Sequence, residues 1–467
     1  MPVHFIDSIV FGDSVGTADM RRIFSETATI QRWLDVEVAL ARAQASMGMI
    51  PVDAAEIIAT KADASLIDLE AVKAHGKRTG HSLLGVLAEF RKLIAHDHAR
   101  YVHFGATTQD IIDTALMLMV KEGYEQVMDR LSGVMQLVAG LADKHASTIM
   151  VGRTHGGHAL PITFGFKAAI WLSELSRQME RWEMARQRIL VGNMTGAVGT
   201  FAAWGDRGFE VQEKTLGLLG LGVPETAWHC SRDRIAEAMT LCALLAGTGA
   251  RIGREIYNLT KTEVRELMEP SAGKIGSSTM PHKRNPIHSE WLMVLEREIR
   301  SNATLCLEVM SQESERDASR WKNEWIAVPE SFVYLSGLLN HMKTLLSGLT
   351  VDEKRMLENT KLLKGMLVSE QVMFLLEKHF PLPIAHEKVY HASIRALEKD
   401  AFLVDELMAD PEVAAKCSRA DIEKVLDPTG YLGQSVTVAR AVKARVDKQL
   451  AVFAANQGNK PAELLVA

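Results

Sequence analysis

The sequence has few cysteines and no excess of basic residues. Its 467 residues include four cysteines, with no Cys-x-x-Cys pair, so the chain indicates neither a zinc cluster nor a disulfide framework. The net charge of −5 provides no positive field for nucleic acid. The N-terminus has no basic start before an apolar run, and no stretch reaches the roughly 18 to 20 apolar residues of a membrane span. These absences argue against nucleic acid and membrane as partners and favour a cytoplasmic enzyme.

Apolar residues recur at helical spacing over long stretches. One stripe consists of Val127, Leu131, Val134, Val138 and Leu141. A second consists of Leu172, Leu175, Met179, Trp182 and Ile189. Pro161 stands just before the second stripe, where a helix can begin. Period-two runs bounded by turn residues are scarce, so the sequence predicts an all-α fold.

The distribution of these stripes predicts three domains. The long stripes lie between about residues 114 and 349, with regions of shorter helices on either side. We therefore expect an N-terminal helical domain (1–113), a central long-helix bundle (114–349) and a C-terminal helical domain (350–467).

Three polar segments that contain glycine interrupt the helical pattern. They are "HFGATTQDIIDTA" (103–115), "VGRTHGGHALP" (151–161) and "GSSTMPHKRNP" (276–286). In the third, Gly and Ser beside Lys283, Arg284 and Asn285 present the groups that hold a carboxylate or phosphate. A loop whose Ser and Asn cap the next helix is the alternative. The spacing is not that of a Walker loop.

The second segment supplies Thr154, His155 and His158, with Arg153 beside them. Histidine is the usual proton-transfer group near neutral pH, and an arginine favours an anion. A structural role for His155 is the alternative. A metal site is not expected, because no third ligand follows the two histidines at a convincing spacing.

The first segment offers hydroxyl and amide donors at Thr107, Thr108 and Gln109. The alternative is purely structural, because Thr107 and Asp110 have the spacing of a capping box. His81 is a weaker candidate. Serine hydrolase chemistry is not supported, because the chain has no Gly-x-Ser-x-Gly elbow.

Together the three segments resemble the fumarase/aspartase superfamily. Its signature is Gly-Ser-Ser-x-x-Met-Pro-x-Lys-x-Asn, or a close variant, followed five residues later by Glu. Residues Gly276 to Asn285 and Glu290 fit it, with Met280 one place earlier. The resemblance implies a bundle of long helices in a homotetramer, with each active site assembled from three subunits. Members remove a proton next to a carboxylate and expel a leaving group from the neighbouring carbon, often releasing fumarate, and need no cofactor.

The same resemblance implies roles for individual residues. Ser277 matches the loop serine that acts as base, His155 the proton donor to the leaving group, and Glu290 its orienting partner. Lys283 and Asn285 would clamp the carboxylate that takes up the carbanion charge. The substrate, a small di- or tricarboxylate, would also contact Thr107, Thr108, Arg153, Thr154, Ser278 and Met280, with His81, Gln109 and His158 as further candidates.

The branch of the superfamily stays open at this point. Segments such as "AWHCSRDRIAEAM" and "ERDASRWKNEW" resemble 3-carboxy-cis,cis-muconate cycloisomerase, whereas "GRTHGGHALP" resembles adenylosuccinate lyase. We favour a lyase that cleaves a C–N or C–O bond of a substituted succinate, then the cycloisomerase, then adenylosuccinate lyase. An inactive structural or binding homologue is the non-enzyme alternative, and the retained signature residues argue against it.

Overall fold

The computed structural model describes residues 4–270, 280 and 282–458, and these residues are mostly helical. The first ten helices are α1 (Gly12–Val15), α2 (Ala18–Ile23), α3 (Glu26–Ser46), α4 (Val52–Lys61), α5 (Leu69–Thr79), α6 (Ser82–Lys92), α7 (His96–Ala99), α8 (Thr108–Lys144), α9 (Phe164–Ile189) and α10 (Gly208–Leu218). The next ten are α11 (Asp233–Thr260), α12 (Ile287–Val309), α13 (Ala318–Ser347), α14 (Glu353–Asn359), α15 (Ser369–Glu377), α16 (Leu382–Glu398), α17 (Leu403–Met408), α18 (Pro411–Ala414), α19 (Arg419–Val425) and α20 (Ser435–Gly458).

Short 3-10 turns and two small β-ribbons complete the described secondary structure. The turns cover Phe5–Asp7, Ala64–Leu66, Gly205–Arg207, Met366–Val368 and Pro428–Gly430. The strands are β1 (Ile149–Thr154), β2 (Gly157–Thr163), β3 (Leu267–Met268) and β4 (Thr350–Val351). β1 pairs antiparallel with β2, and β3 pairs antiparallel with β4. The all-α class predicted from the sequence is confirmed.

The predicted apolar stripes face the interior. In α8, Val127, Leu131, Val134 and Val138 are completely buried, and Leu141 is half-buried. The whole α9 stripe, from Leu172 to Ile189, is buried. Burial of each such side chain stabilises the fold by about 1.5–3 kcal/mol relative to exposure, so these stripes explain why the two helices form.

The predicted helix start at Pro161 is wrong. Pro161 lies in β2 opposite Val151, and α9 begins only at Phe164. A strand tolerates proline at a sheet edge because the missing N–H then leaves no ladder partner unsatisfied, and a two-stranded ribbon has only edge strands. The second polar segment is therefore a β-hairpin.

Contacts divide the chain into two compact units. Unit 1 comprises Met1–Leu131, Gln178–Arg251 and Trp291–Met342, and unit 2 comprises Ser132–Arg177, Ile252–Glu290 and Lys343–Ala467. Within unit 2, α15 to α19 enclose a core of their own that contains Val372, Leu376, Leu403, Leu407 and Ile422. The three-domain division stays a prediction.

One described helix has the length and composition of a membrane span. It is α11, Asp233–Thr260, and 61% of its apolar window is buried inside the protein. The sequence-based expectation that no stretch reaches this composition therefore has one exception. Burial of this extent is typical of a core helix.

Candidate active site

The structure distributes the predicted site residues over the two units. His81, Thr107, Thr108 and Gln109 belong to unit 1. Unit 2 contains Arg153, Thr154, His155, His158, Met280, Lys283, Asn285 and Glu290. Ser277 and Ser278 lie outside the described residues. The roles of all these residues in catalysis or binding stay predictions.

Asp110 fixes the predicted threonines at the start of α8. Its fully buried carboxylate accepts hydrogen bonds from the backbone N–H groups of Thr107 (3.0 Å), Thr195 (3.0 Å) and Gly196 (2.9 Å). The Nε2 atom of His229 lies 3.0 Å from the same carboxylate. The contact with Thr107 N–H has the form expected of a capping box. The contacts with Thr195, Gly196 and His229 are not part of a cap, because they connect the helix start to two separate loops.

Arg316 contacts Thr107, one of the predicted site residues. Its Nη2 donates to the Thr107 hydroxyl (3.1 Å) and to the carbonyl of Ala197 (2.8 Å). The Nε atom of Arg316 is buried and has no hydrogen-bond partner among the described residues. Because the Arg316 guanidinium is positively charged and contacts Thr107, the start of α8 can bind an anionic group.

Gln109 and His81 differ in their environment. Gln109 is buried, and its Nε2 donates to the carbonyl of His229 (2.9 Å). Within unit 1 it therefore holds the backbone of His229, whose side chain contacts Asp110. His81 is exposed and directly precedes α6, with its backbone N–H donating to the Thr79 hydroxyl (3.2 Å).

A buried charge network lies one turn further along α8. Arg232 donates to Asp113 through Nη1 (2.7 Å) and Nη2 (3.0 Å), and it donates to Glu324 through Nε (3.0 Å) and Nη2. Trp321 Nε1 also donates to Asp113 (2.8 Å). Burial raises the pKa of Glu324, although Arg232 opposes this shift. Removing one partner of such a buried ion-pair network costs several kcal/mol of stability, because a buried charge is then left without its partner. The network therefore fixes α8 against α13.

His155 occupies the tip of the β1–β2 hairpin in unit 2. Thr154 pairs with Gly157, which leaves His155 and Gly156 as a two-residue turn. Both have positive φ, 52° and 83°, as a type I′ turn requires. The imidazole is exposed and forms no hydrogen bond to any described residue. Positive φ at a residue other than glycine is uncommon, and here it presents the predicted proton donor to solvent.

Arg153 is held by an ion pair in unit 2. Its Nη1 and Nη2 donate to the two carboxylate oxygens of Glu266, at 3.0 and 2.6 Å. Glu266 is completely buried and also accepts from Asn359 Nδ2 (2.7 Å). Such a bidentate pair orients the guanidinium strongly. Contact of Arg153 with substrate stays a prediction, whereas its role in anchoring β1 is visible.

His158 lies on β2 next to this ion pair. Burial and the Arg153 guanidinium lower the pKa of His158, and Glu266 opposes them only in part. Its Nδ1 is buried and has no hydrogen-bond partner among the described residues. The lowered pKa favours the neutral form of His158 at physiological pH.

Glu269 organises the chain that follows the signature loop. Its carboxylate accepts from the backbone N–H groups of His288 and Ser289, both at 3.0 Å. An anion at this position satisfies the first N–H groups of α12 and interacts favourably with the helix dipole. Glu290 is in the same first turn and is exposed, as are Met280 and Lys283. Asn285 is half-buried.

Sequence reasoning missed the polar residues beneath the first segment. They are Arg316, His229, Arg232 and Glu324, and each lies in "AWHCSRDRIAEAM" or "ERDASRWKNEW". The available signal was that these polar and charged residues stand beside alanines and tryptophans in the two segments. Their partners on α8 could not be identified, because the contacts are far apart in the chain.

Family models match most of the chain. A model described as "Lyase" covers residues 13–300, and one described as "Adenylosuccinate lyase C-terminus" covers residues 365–442. N-acetyl-S-(2-succino)cysteine lyase of Dickeya dadantii (strain 3937) is 41% identical over 436 residues, which are 93% of this chain and 96% of that protein. Adenylosuccinate lyase of Pyrococcus horikoshii is 38% identical over 451 residues, 96% of this chain and 99% of that protein.

A solved structure extends the comparison to the fold. The 3-carboxy-cis,cis-muconate lactonizing enzyme from Pseudomonas putida superposes with a TM-score of 0.89 at 33% identity, covering 94% of this chain and 99% of that one. The predicted superfamily, fold and enzyme class are confirmed by these matches, as is the mixture of features from two branches. The chain is accordingly an enzyme of the fumarase/aspartase superfamily, a lyase related both to adenylosuccinate lyase and to 3-carboxy-cis,cis-muconate cycloisomerase.

Proposed function

We propose that the enzyme is a carbon–sulfur lyase that splits an S-(2-succino) thioether into fumarate and a thiol. The observation that carries the proposal is the similarity, along almost the whole chain, to a lyase for N-acetyl-S-(2-succino)cysteine. The substrate is a substituted succinate, as the sequence analysis expects. The proposed leaving atom is sulfur, whereas the sequence patterns favour cleavage of a C–N or C–O bond.

In the proposed reaction, Ser277 removes a proton from the succinyl CH2 group. The electron pair left on carbon forms the C=C bond of fumarate, the C–S bond breaks, and sulfur leaves with its bonding pair. Lys283 and Asn285 hold the carboxylate onto which the carbanion charge spreads. Thr107, Thr108 and Arg316 hold the other carboxylate.

His155 then supplies the proton that converts the thiolate to a thiol, with Glu290 as its orienting partner. A thiolate is a weak base, with a reference pKa of about 8.5, and it can leave without full protonation. An amine cannot leave as its anion, so an amine substrate needs the proton donor more. This difference makes the leaving group testable through His155.

The tryptophans of α13 disfavour a nucleotide substrate. The segment "WKNEW" (321–325) stands where adenylosuccinate lyases, which the chain resembles, have serines that help bind the nucleotide phosphate. In this chain Trp321 is buried with its N–H on Asp113, and Trp325 packs edge-on against it, with ring centroids 4.9 Å apart. Two indoles offer no set of donors for a phosphate.

We further propose a homotetramer in the cytoplasm, with active sites shared by three subunits. An apolar groove in unit 1 supports association, because it exposes Met184, Leu244, Leu307 and Met310. Exposed apolar side chains grouped in this way are typical of contact surfaces between proteins. Light scattering of the purified protein tests the subunit number.

The test of the proposed reaction compares three substrates with wild-type enzyme and with Ser277→Ala. The substrates are N-acetyl-S-(2-succino)cysteine, adenylosuccinate and 3-carboxy-cis,cis-muconate. Fumarate is followed by ultraviolet absorbance and mass spectrometry, and free thiol by a thiol reagent. We expect fumarate and thiol in equal amounts from the thioether, and neither from the Ser277→Ala enzyme.

Two results would contradict the proposal. Lactone formation from the muconate without thioether cleavage would make the enzyme a cycloisomerase. Preferential cleavage of adenylosuccinate would assign the nitrogen reaction instead. Normal turnover by Ser277→Ala would remove Ser277 from its role as base and leave the substrate assignment standing.

A further inference from the structure

The loop between α9 and α10 contacts the first polar segment at two points. The backbone N–H groups of Thr195 and Gly196 donate to the buried carboxylate of Asp110. Further along the loop, the indole Nε1 of Trp204 donates to the backbone carbonyl of Phe104 (3.1 Å). These two contacts lie on either side of the predicted substrate-binding threonines in the chain, so the loop fixes the segment before and after them.

Helix α3 provides a second donor to the Phe104 carbonyl. The Nε2 atom of Gln44 lies 2.7 Å from the oxygen that also accepts from Trp204. Gln44 is completely buried, and Trp204 exposes only 4% of its surface. A carbonyl oxygen has two lone pairs, so two donors satisfy it fully. The carbonyl is therefore held between α3 and the loop.

Gly105 allows the indole to come this close to the backbone. Its φ is +82°, a conformation that glycine adopts without the strain that other residues incur. A Cβ atom at this position would lie 2.1 Å from Nε1 of Trp204, a distance that real side chains essentially never show. Any side chain here would push the indole away from the Phe104 carbonyl, so the backbone is matched to the tryptophan.

The hydrogen-bonded carbonyl is close to the threonines in the chain. Phe104 and Thr107 span at most about 10 Å of extended chain, and Asp110 fixes the N–H group of Thr107. The Thr107 hydroxyl accepts from Arg316. Substrate-binding groups must be held to within about 0.5 Å of their productive positions. A short stretch that is fixed at both ends meets this requirement, and loss of either end would relax it.

We infer that Trp204 is a positioning residue for substrate binding: together with Gln44 it holds the Phe104 carbonyl and thereby places the hydroxyls of Thr107 and Thr108 against the succinyl carboxylate. The inference rests on the proposed function, which assigns that carboxylate to the two threonines. Trp204 acts through the backbone and needs no contact with the substrate. Its loss should therefore weaken dicarboxylate binding more than it slows the chemical step.

Fumarate is the probe, and its Kd is measured by isothermal titration calorimetry. The kcat for N-acetyl-S-(2-succino)cysteine is measured in the same proteins. Trp204→Phe retains a ring but loses the N–H donor, and Gln44→Met retains the length of the side chain but loses its donor. Tyr124→Phe is the matched control, because it also removes one buried hydrogen bond to a backbone carbonyl, that of Trp182 (3.1 Å). Tyr124 lies about 24 Å further along α8 than Thr108.

We expect Trp204→Phe and Gln44→Met each to raise the Kd of fumarate by about 3- to 10-fold, the effect of one neutral hydrogen bond. The kcat should change by less than about twofold, because the proton-transfer roles proposed for Ser277 and His155 do not depend on this segment. Tyr124→Phe should retain the wild-type Kd within about twofold. Urea unfolding is measured in parallel, since a purely structural role predicts lower stability with an unchanged Kd.

The possible outcomes separate this inference from the proposed function. A wild-type Kd in folded Trp204→Phe and Gln44→Met would overturn the inference, as would an equal rise in Tyr124→Phe or a wild-type enzyme that does not bind fumarate. If Trp204→Phe does not fold, Gln44→Met decides alone. A wild-type enzyme that binds fumarate but releases none from the thioether would refute the proposed function, and the ratios of Kd would still decide the role of Trp204.

Discussion

Replacing Asp110 with Asn perturbs the hydrogen bonds that hold the predicted threonine segment. The two carboxylate oxygens together accept from three backbone N–H groups and face His229. An asparagine offers one oxygen and one NH2 group, so its NH2 group must face two of these donors. The better orientation directs the NH2 group at Thr195 and His229, because the imidazole can change tautomer and accept.

The cost follows from what this orientation leaves unsatisfied. One hydrogen bond to a charged acceptor, worth about 1.5–3 kcal/mol, is lost at Thr195 N–H. The remaining contacts change from charge-assisted to neutral and lose roughly half their strength. Since the site is completely buried, water cannot replace them. We expect Asp110→Asn to lower the free energy of unfolding by about 3–5 kcal/mol.

Urea unfolding monitored by circular dichroism measures this change. Protein concentration must be constant across variants, because subunit association contributes to apparent stability. Asp206→Asn is the matched control, since Asp206 is exposed and its change should be worth less than about 0.5 kcal/mol. If Asp110→Asn were as stable as this control, the buried carboxylate would not organise the start of α8.

Three further changes test other parts of the structure. His155→Asn, which retains a residue suited to positive φ, should lower kcat for an amine-leaving substrate by about 10²–10⁴-fold but for the thioether by about 10-fold or less; equal losses in steady-state assays would contradict the proposed leaving group. Glu266→Gln removes the charge that pairs with Arg153 and should lower the free energy of unfolding by about 3 kcal/mol in urea, whereas a loss under about 1 kcal/mol would show that the pair is dispensable. Burial alone would lower the pKa of His103, but its ion pair with Glu37 outweighs burial and raises the pKa. The stability difference between the wild-type protein and His103→Gln should therefore be fully present below about pH 6.5, and it should be lost as pH rises through the folded-state pKa. A difference between these two proteins that stays constant from slightly acidic to alkaline pH would refute the last expectation.

The long helices were predictable because their periodicity is unambiguous. The α8 and α9 stripes continue over several turns, and nearly all of their residues are buried. The β1–β2 hairpin was not predictable from the same signal. Its strands have only six and seven residues and do not alternate apolar with polar residues, so they lack the usual strand pattern, and Pro161 suggested a helix start instead.

The candidate site was predictable only where residues near each other in the chain act together. Thr107 and Asp110 are three apart, and the expected capping contact is present. The network of Arg232 with Asp113 and Glu324 joins the turn before α11 to α8 and α13, and a single sequence contains no record of such contacts. Ser277 and Ser278, which the signature identifies most directly, lie outside the described residues.

The turn at His155 and Gly156 also affects how this enzyme can change over evolution. The exposed imidazole has no core contacts to lose, so replacing it alters the chemistry at the hairpin tip at little cost in stability. The positive φ nevertheless restricts the choice, since asparagine, aspartate and glycine adopt it readily and β-branched residues do not. At this position backbone sterics, rather than packing, determine which new activities a single mutation can reach.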